Sequence, residues 1–291
     1  MPIIVNMVPE TARRPGFVII VLVSALVFSS CAALQPPNVT GPPGNSSLYP
    51  VLLIPDAHRK EATLAAVNRL GQSAKSNATL PQLQPVTGTI LGLPPQASGS
   101  FFLPKVGTGA TMNEEETRES LRRFIRDWQE LIGSDPSKLS LIERTDQPDG
   151  SKLASYQQRP FRYPIRGNYG KLLIQFTSDR RILNLTSSCI PDADRIQSAF
   201  SALNVRPRAE ETLQKLRAKG LTYMDAQGTE RTFAIPASSE LTARQMTIYI
   251  LPAKDQPEAL EFHLAWEIEF TNASVKLAYV DALNGEVLAT E

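Results

Sequence analysis

Between Leu260 and Phe270 apolar and polar residues alternate without a break. Leu260, Phe262, Leu264, Trp266, Ile268 and Phe270 take the even positions, while Glu261, His263, Ala265, Glu267 and Glu269 take the odd ones. That period predicts a half-buried strand with its even face inward. Asn272 and Ser274 mark a turn, after which Val275, Leu277 and Tyr279 resume the alternation. Asn284-Gly285 predicts a tight turn, because both residues tolerate a positive φ. On this reading His263 lies on a solvated face, two residues from Glu261.

Upstream the period changes. Leu121, Phe124, Ile125, Trp128, Leu131 and Ile132 recur at three- and four-residue intervals, one face of a helix. Thr111, Met112 and Asn113 stand three residues ahead of Glu114, Glu115 and Glu116, so Thr111 and Asn113 are candidate N-caps of a capping box. Gly133 stops the helix. Short strands are predicted over 139–144, 153–158, 171–177 and 181–186, with Pro148-Asp149-Gly150 and Ser178-Asp179-Arg180 as hairpin turns. Helices are expected over 192–203, with Ile196 and Phe200 on one side, and over 209–219, stopped by Gly220. A further strand is expected over 245–251. The order predicts an α+β fold: two small domains, 111–196 and 197–291, each an antiparallel sheet with a packed helix.

Composition changes the picture at the amino-terminal side. Arg13-Arg14 precede an apolar run over 17–28 and then Ser29-Ser30-Cys31-Ala32-Ala33, the layout of a secretory signal. The residues before Cys31 resemble a bacterial lipobox, with Phe28 where leucine is usual. That resemblance implies a diacylated Cys31 as the new amino terminus. An uncleaved anchor is the alternative. Ser24, Ser29, Ser30 and the switch to Gln35-Pro36-Pro37 favour the lipoprotein. Residues 1–31 are therefore read as the signal, and the rest as facing outside the cytoplasm on a cell or outer membrane. Residues 32–110, holding many of the 23 prolines, are read as a Pro/Gly/Ser-rich linker with a short helix over 57–70. The formal net charge of +1 excludes a nucleic-acid footprint.

Two motif sets bring a family into view. Leu264, Ala265, Trp266 and Ile268, followed by Tyr279, Val280, Asp281, Ala282, Gly285, Glu286, Val287 and Leu288, resemble the end of a PepSY domain. That module closes the propeptides of thermolysin-type metallopeptidases. Tyr156-Gln157-Gln158, then Pro164-Ile165-Arg166-Gly167, then Ile190-Pro191, are similar to the FTP module of fungalysin and thermolysin propeptides; here Phe161-Arg162-Tyr163 precede Pro164, without that family's first glycine. The resemblance covers 112–291. It implies a non-catalytic protein that binds an envelope metallopeptidase in trans, inhibiting it or helping it fold. Contact would be through polar-rimmed strands and the segment 286–291. It also implies that Asp281 belongs to a structural D-A-x-x-G turn. A general envelope scaffold and a remnant of a truncated zymogen are the alternatives.

The residues themselves suggest little chemistry. A thermolysin-type zinc site needs H-E-x-x-H on a helix. The only histidines are His58 and His263, neither followed by glutamate. His263 with Glu261 could form a pH-sensitive pair, but a solvated sheet face is the preferred reading. Cys189 has no histidine near it in sequence and reads as a small buried thiol. No active site, metal or cofactor is expected.

Overall fold

The computed structural model describes residues 49–73, 81–109, 111–203, 208–224 and 229–291; the signal segment and Cys31 lie outside the described residues. A short strand, β1 (Val51–Leu53), leads into helix α1 (Ala57–Ser73) and three brief strands, β2 (Gln82–Leu83), β3 (Ile90–Gly92) and β4 (Phe101–Phe102). Helices α2 (Glu114–Asp127) and α3 (Gln129–Ile132) precede β5 (Leu139–Asp146), β6 (Lys152–Gln158), β7 (Ile165–Arg166), β8 (Lys171–Phe176) and β9 (Arg181–Ser187). Helices α4 (Ala193–Ala202) and α5 (Ala209–Lys219) then lead to the hairpin β10 (Leu221–Met224) and β11 (Glu230–Phe233). Four strands complete the inventory: β12 (Leu241–Pro252), β13 (Leu260–Phe270), β14 (Leu277–Asp281) and β15 (Val287–Thr290). The architecture is α+β.

The first sheet has the order β4-β9-β8-β6-β5, antiparallel throughout. Its inner face is built from Ala154, Leu172, Ile174, Phe176, Ile182 and Leu185, against which α2 lays Leu121, Phe124 and Ile125. Helix α2 begins where its sequence says it should. The Asn113 side chain accepts from the Glu116 amide, and Glu116 accepts from the Asn113 amide, so two orphan donors are satisfied reciprocally. Trp128 leaves helical geometry, α3 adds one turn, and Gly133 closes it at φ 83°. A Cβ at Gly133 would stand 2.5 Å from the Thr89 methyl, so the left-handed stop and the close approach both require glycine.

The described residues of the linker expected over 32–110, from Tyr49 onward, are part of the fold. Ala66, Val67 and Leu70 of α1 join Ile90, Ala97, Phe101 and Leu103 in the core of the first sheet. Val51 and Leu53 enter the core of the second. Ala66, Val67 and Leu70 lie on the helix expected over 57–70, whereas Ile90, Ala97, Phe101 and Leu103 are scattered among prolines, glycines and polar residues, so their burial leaves no periodic trace in the sequence.

The second sheet has the order β15-β14-β13-β12-β7, with β1 also paired to β13. The pattern over Leu260–Phe270 correctly marks its central strand. Phe262 and Leu264 face Ile196 and Phe200 of α4, while Ile268 and Phe270 pack with Leu216 of α5 and Leu221 of β10. Strand β7 comes from the Pro164-Ile165-Arg166-Gly167 motif and runs parallel to β12, with Ile165 opposite Ile248. Helix α4 crosses the boundary expected at 196–197.

Trp266 is only half-buried, packed against the cluster around Ile268 and Phe270. Trp266→Ala should therefore cost about 2–3 kcal/mol, below the usual range for a fully buried ring. Urea unfolding of both proteins measures this; a loss under about 1 kcal/mol would show that the ring adds little to that cluster.

Candidate functional site

Strands β1 and β14 lie on the same side of β13. β1 pairs with it at Leu260–Phe262, and β14 pairs from Ala265 onward. The break between them falls at His263 and Leu264, and side chains fill it. The Leu264 amide donates to the Tyr49 hydroxyl at 3.0 Å, and the Leu264 carbonyl accepts from the Ala282 amide at 2.8 Å. The Tyr49 hydroxyl in turn donates to Asp281 Oδ2 at 2.7 Å. His263 Nδ1 meets the same oxygen at 2.7 Å, and its Nε2 lies 3.3 Å from Glu261 Oε2. Tyr49 presents its ring to the imidazole edge-on at 5.9 Å between centroids.

Asp281 is fully buried and fully occupied. Its Oδ1 accepts the amides of Leu283 and Asn284 at 2.8 and 3.1 Å, which forms the turn ahead of Gly285 at φ 78°. Burial acts to raise its pKa; the hydrogen bonds from His263, Tyr49, Asn284 and Leu283 outweigh burial and hold the carboxyl below the ordinary carboxylate range. The Tyr49 phenol moves far upward, by burial first and then by the charge and hydrogen bond of Asp281. Through its two ring nitrogens His263 bridges the carboxylates of Asp281 and Glu261.

His263 is thus not on a solvated face: it is 4% exposed. Alternation places it opposite the apolar face, but Tyr49 and Asp281 close over that position. Glu267, also on the odd face, is buried and paired with Arg166 Nε at 3.0 Å. Tyr49 could not be read as a site residue from its Pro-rich surroundings. His58, by contrast, is exposed at the start of α1, its amide bonded to Asp56.

The remaining motif residues do structural work in separate places. Gln158 is 1% exposed; its side chain accepts from the Ile190 amide at 2.7 Å and donates to the Ile190 carbonyl at 2.9 Å. Tyr156 packs on the first core, its phenol pushed up to about 12 by burial, with Arg144 and Arg118 acting the other way. Gln157 lies beside Gly170. The Pro164 carbonyl accepts from the Ile248 amide at 2.9 Å, and Gly167 turns the chain at φ 88° over Tyr249. Asp281 and Gly285 share one turn, near His263; Trp266 lies on the opposite face of β13.

Cys189 is fully buried, and burial pushes its thiol up to about 12 against the opposing effects of Ser187 and Arg59. In a Cys31→Ser chain, Cys189 should resist a thiol reagent such as DTNB until the protein is denatured. Rapid labelling of the native chain would contradict this burial.

A cleft of about 610 Å³ opens beside the buried cluster. Lys215 and Lys219 of α5, Tyr223 of β10, His263, and Val287 and Leu288 of β15 line it. Lys254 and Glu286 form an ion pair among its lining residues. The polar contacts of His263 are the carboxylates of Asp281 and Glu261, and the first of these ties β13 to the 281–285 turn. Among the described residues, no three His, Cys, Asp or Glu side chains converge as a metal site.

No family model matches the chain, and a search of curated proteins returns no match. Among solved structures, the chain is similar to an uncharacterized protein from Eubacterium rectale. Identity is 13%, the TM-score is 0.27, and the match covers 65% of this chain and 59% of that one.

Proposed function

We propose that this chain is a non-catalytic binding protein of the cell envelope that engages a metallopeptidase in trans, inhibiting it or assisting its folding. The observation that carries the reading is the position of β15. The segment that in PepSY-type propeptides leads toward the protease is here the outermost strand of the second sheet, with an open cleft along it. The motif residues support it as well. Gln158, Pro164, Gly167, Asp281 and Gly285 serve as clamps and turns, the use expected of a folded docking module. Two such modules, of FTP and PepSY type, joined to a lipid anchor at Cys31, make up the proposed protein.

Affinity capture from native envelope extract, with a Trp266→Ala chain as control, tests this proposal. The expected result is a zinc metallopeptidase enriched over the control, whose cleavage of a reporter substrate slows when the chain is added. Enrichment of other envelope proteins, without a peptidase and without inhibition, would replace this reading with a general scaffold.

The anchor is tested separately. Cys31→Ser should move the protein from the membrane to the soluble fraction and abolish labelling by radioactive palmitate. Retention on the membrane without label would favour an uncleaved apolar anchor.

A further inference from the structure

We infer that Asn284 is a self-modification site gated by the fold: its side-chain amide becomes aspartate or isoaspartate when the 281–286 turn opens, and is kept while the turn is closed. This goes beyond the binding reading above and does not depend on it.

Asn284-Gly285 is the only Asn-Gly step in the chain. The chemistry at such a step is intramolecular. The Gly285 nitrogen gives up its proton and attacks Asn284 Cγ, and the new nitrogen–carbon bond closes a five-membered succinimide. The bond from Cγ to the amide nitrogen breaks, and ammonia leaves with a proton that replaces the one lost from Gly285. Water then opens the ring at either carbonyl, giving aspartate or isoaspartate. Glycine favours the step because no Cβ shields the attacking nitrogen.

Both reacting groups are engaged in the folded turn. The Asn284 side chain is exposed, and its Oδ1 accepts from the Glu286 amide at 2.8 Å. Taken alone, that bond draws electrons from Cγ and favours attack. The Gly285 N–H, however, is donated to the Asp281 carbonyl at 2.9 Å. The nitrogen must lose this proton before it can attack, and in that bond water cannot take it. The electrophile is primed while the nucleophile is blocked. Without the nucleophile no ring closes, so the Gly285–Asp281 bond is the gate.

The surroundings hold the gate shut. The Asp281 amide donates to the Glu286 carbonyl at 2.8 Å, so main-chain bonds close the turn from both ends. Asp281 Oδ1 accepts from Leu283 and Asn284, and its Oδ2 is fixed by Tyr49 and His263. Lys215 lies over the turn, where a Cβ at Gly285 would stand 3.5 Å from its Cδ. Local opening has to break these contacts together.

The isoaspartate product cannot rebuild the turn. It routes the main chain through the side-chain carbon and adds one atom ahead of Gly285. The spacing that lets Gly285 bond to Asp281 while Asp281 bonds to Glu286 is then lost. A transient opening is converted into a lasting one.

The test incubates the full-length chain in mildly alkaline buffer, folded or unfolded in urea. Trypsin then cuts after Lys276 and releases 277–291, in which Asn284 is the only asparagine. Mass spectrometry of that peptide follows the exchange of ammonia for water. The folded chain should react at least roughly tenfold more slowly than the unfolded one. Hydrogen exchange at the Gly285 amide should be slowed by a similar factor, because one opening exposes both. Folded molecules that have reacted, separated by their added negative charge, should unfold at lower urea than Asn284→Asp, which carries the same charge on an unlengthened chain. Equal rates in the folded and unfolded chain, no reaction in the unfolded chain, or unprotected exchange at Gly285 would overturn the inference. Reacted molecules as stable as Asn284→Asp would overturn it as well.

Discussion

Asp281→Ala is expected to be among the most destabilising single substitutions in the chain, by about 3–5 kcal/mol. It removes the acceptor for His263, for the Tyr49 hydroxyl and for the amides of Leu283 and Asn284, all at a fully buried position. His263 would keep only Glu261 as a hydrogen-bond partner. Asp281→Asn separates two parts of this effect, because its carbonyl oxygen can still accept the turn amides while the charge is gone. It should cost less than the alanine substitution and should change the pH profile. In the folded protein this carboxyl lies below its ordinary range, so the unfolded chain takes up the proton first as the solution is acidified. Its stabilising contribution is complete above about pH 4 and is lost as pH falls through the lower folded-state value. Urea midpoints measured from pH 7 to pH 2 should therefore fall less steeply below pH 4 in Asp281→Asn than in the parent. Parallel curves would show that Asp281 does not carry the acid sensitivity.

Gln158→Ala should cost about 2–4 kcal/mol, the second large effect. The amide side chain caps both polar groups of the Ile190 peptide, in a place where Gln158 and Ile190 are each about 1% exposed. Without it, a buried N–H and a buried C=O lose their partners, and each carries a desolvation penalty. Gln158→Glu is the informative companion: it keeps an acceptor for the Ile190 amide but loses the donor to the carbonyl, and it places a charge in the core. Stability equal to the parent in either variant would mean that water replaces the clamp.

The two large predictions also mark how far the sequence could be read. Strand β13 was legible because its even residues face helices along its whole length, and α2 because its cap and its apolar spacing agree. Strands β5, β6, β8 and β9 were legible for the same reason, their short alternations being bounded by turn residues. Strand β1, α1 as a packed element, and the β10–β11 hairpin were less so. β1 is three residues long, and its burial comes from partners about 200 residues away in the chain. The site divided in the same way. Asp281 could be placed in a turn by its local motif. The contacts from Tyr49 and His263 span 232 and 18 residues, and nothing local announces them. Alternation reports which face a residue takes; it does not report whether another side chain closes that face.

One consequence follows from the Pro164–Gly167 segment. Ile165 and Arg166 belong by sequence to the segment expected as the first domain, 111–196, yet they form the rim of the sheet built by the segment after it. Phe161 and Ile190 lie in the same core as Phe262. A gene cut at residue 196 would thus divide α4 and strip β12 of its outer neighbour, leaving two fragments that each lack part of the other's interior. The halves inherit their stability jointly, and recombination between them in a family of such proteins would succeed only where the crossover carries this short strand along with the sheet it borders.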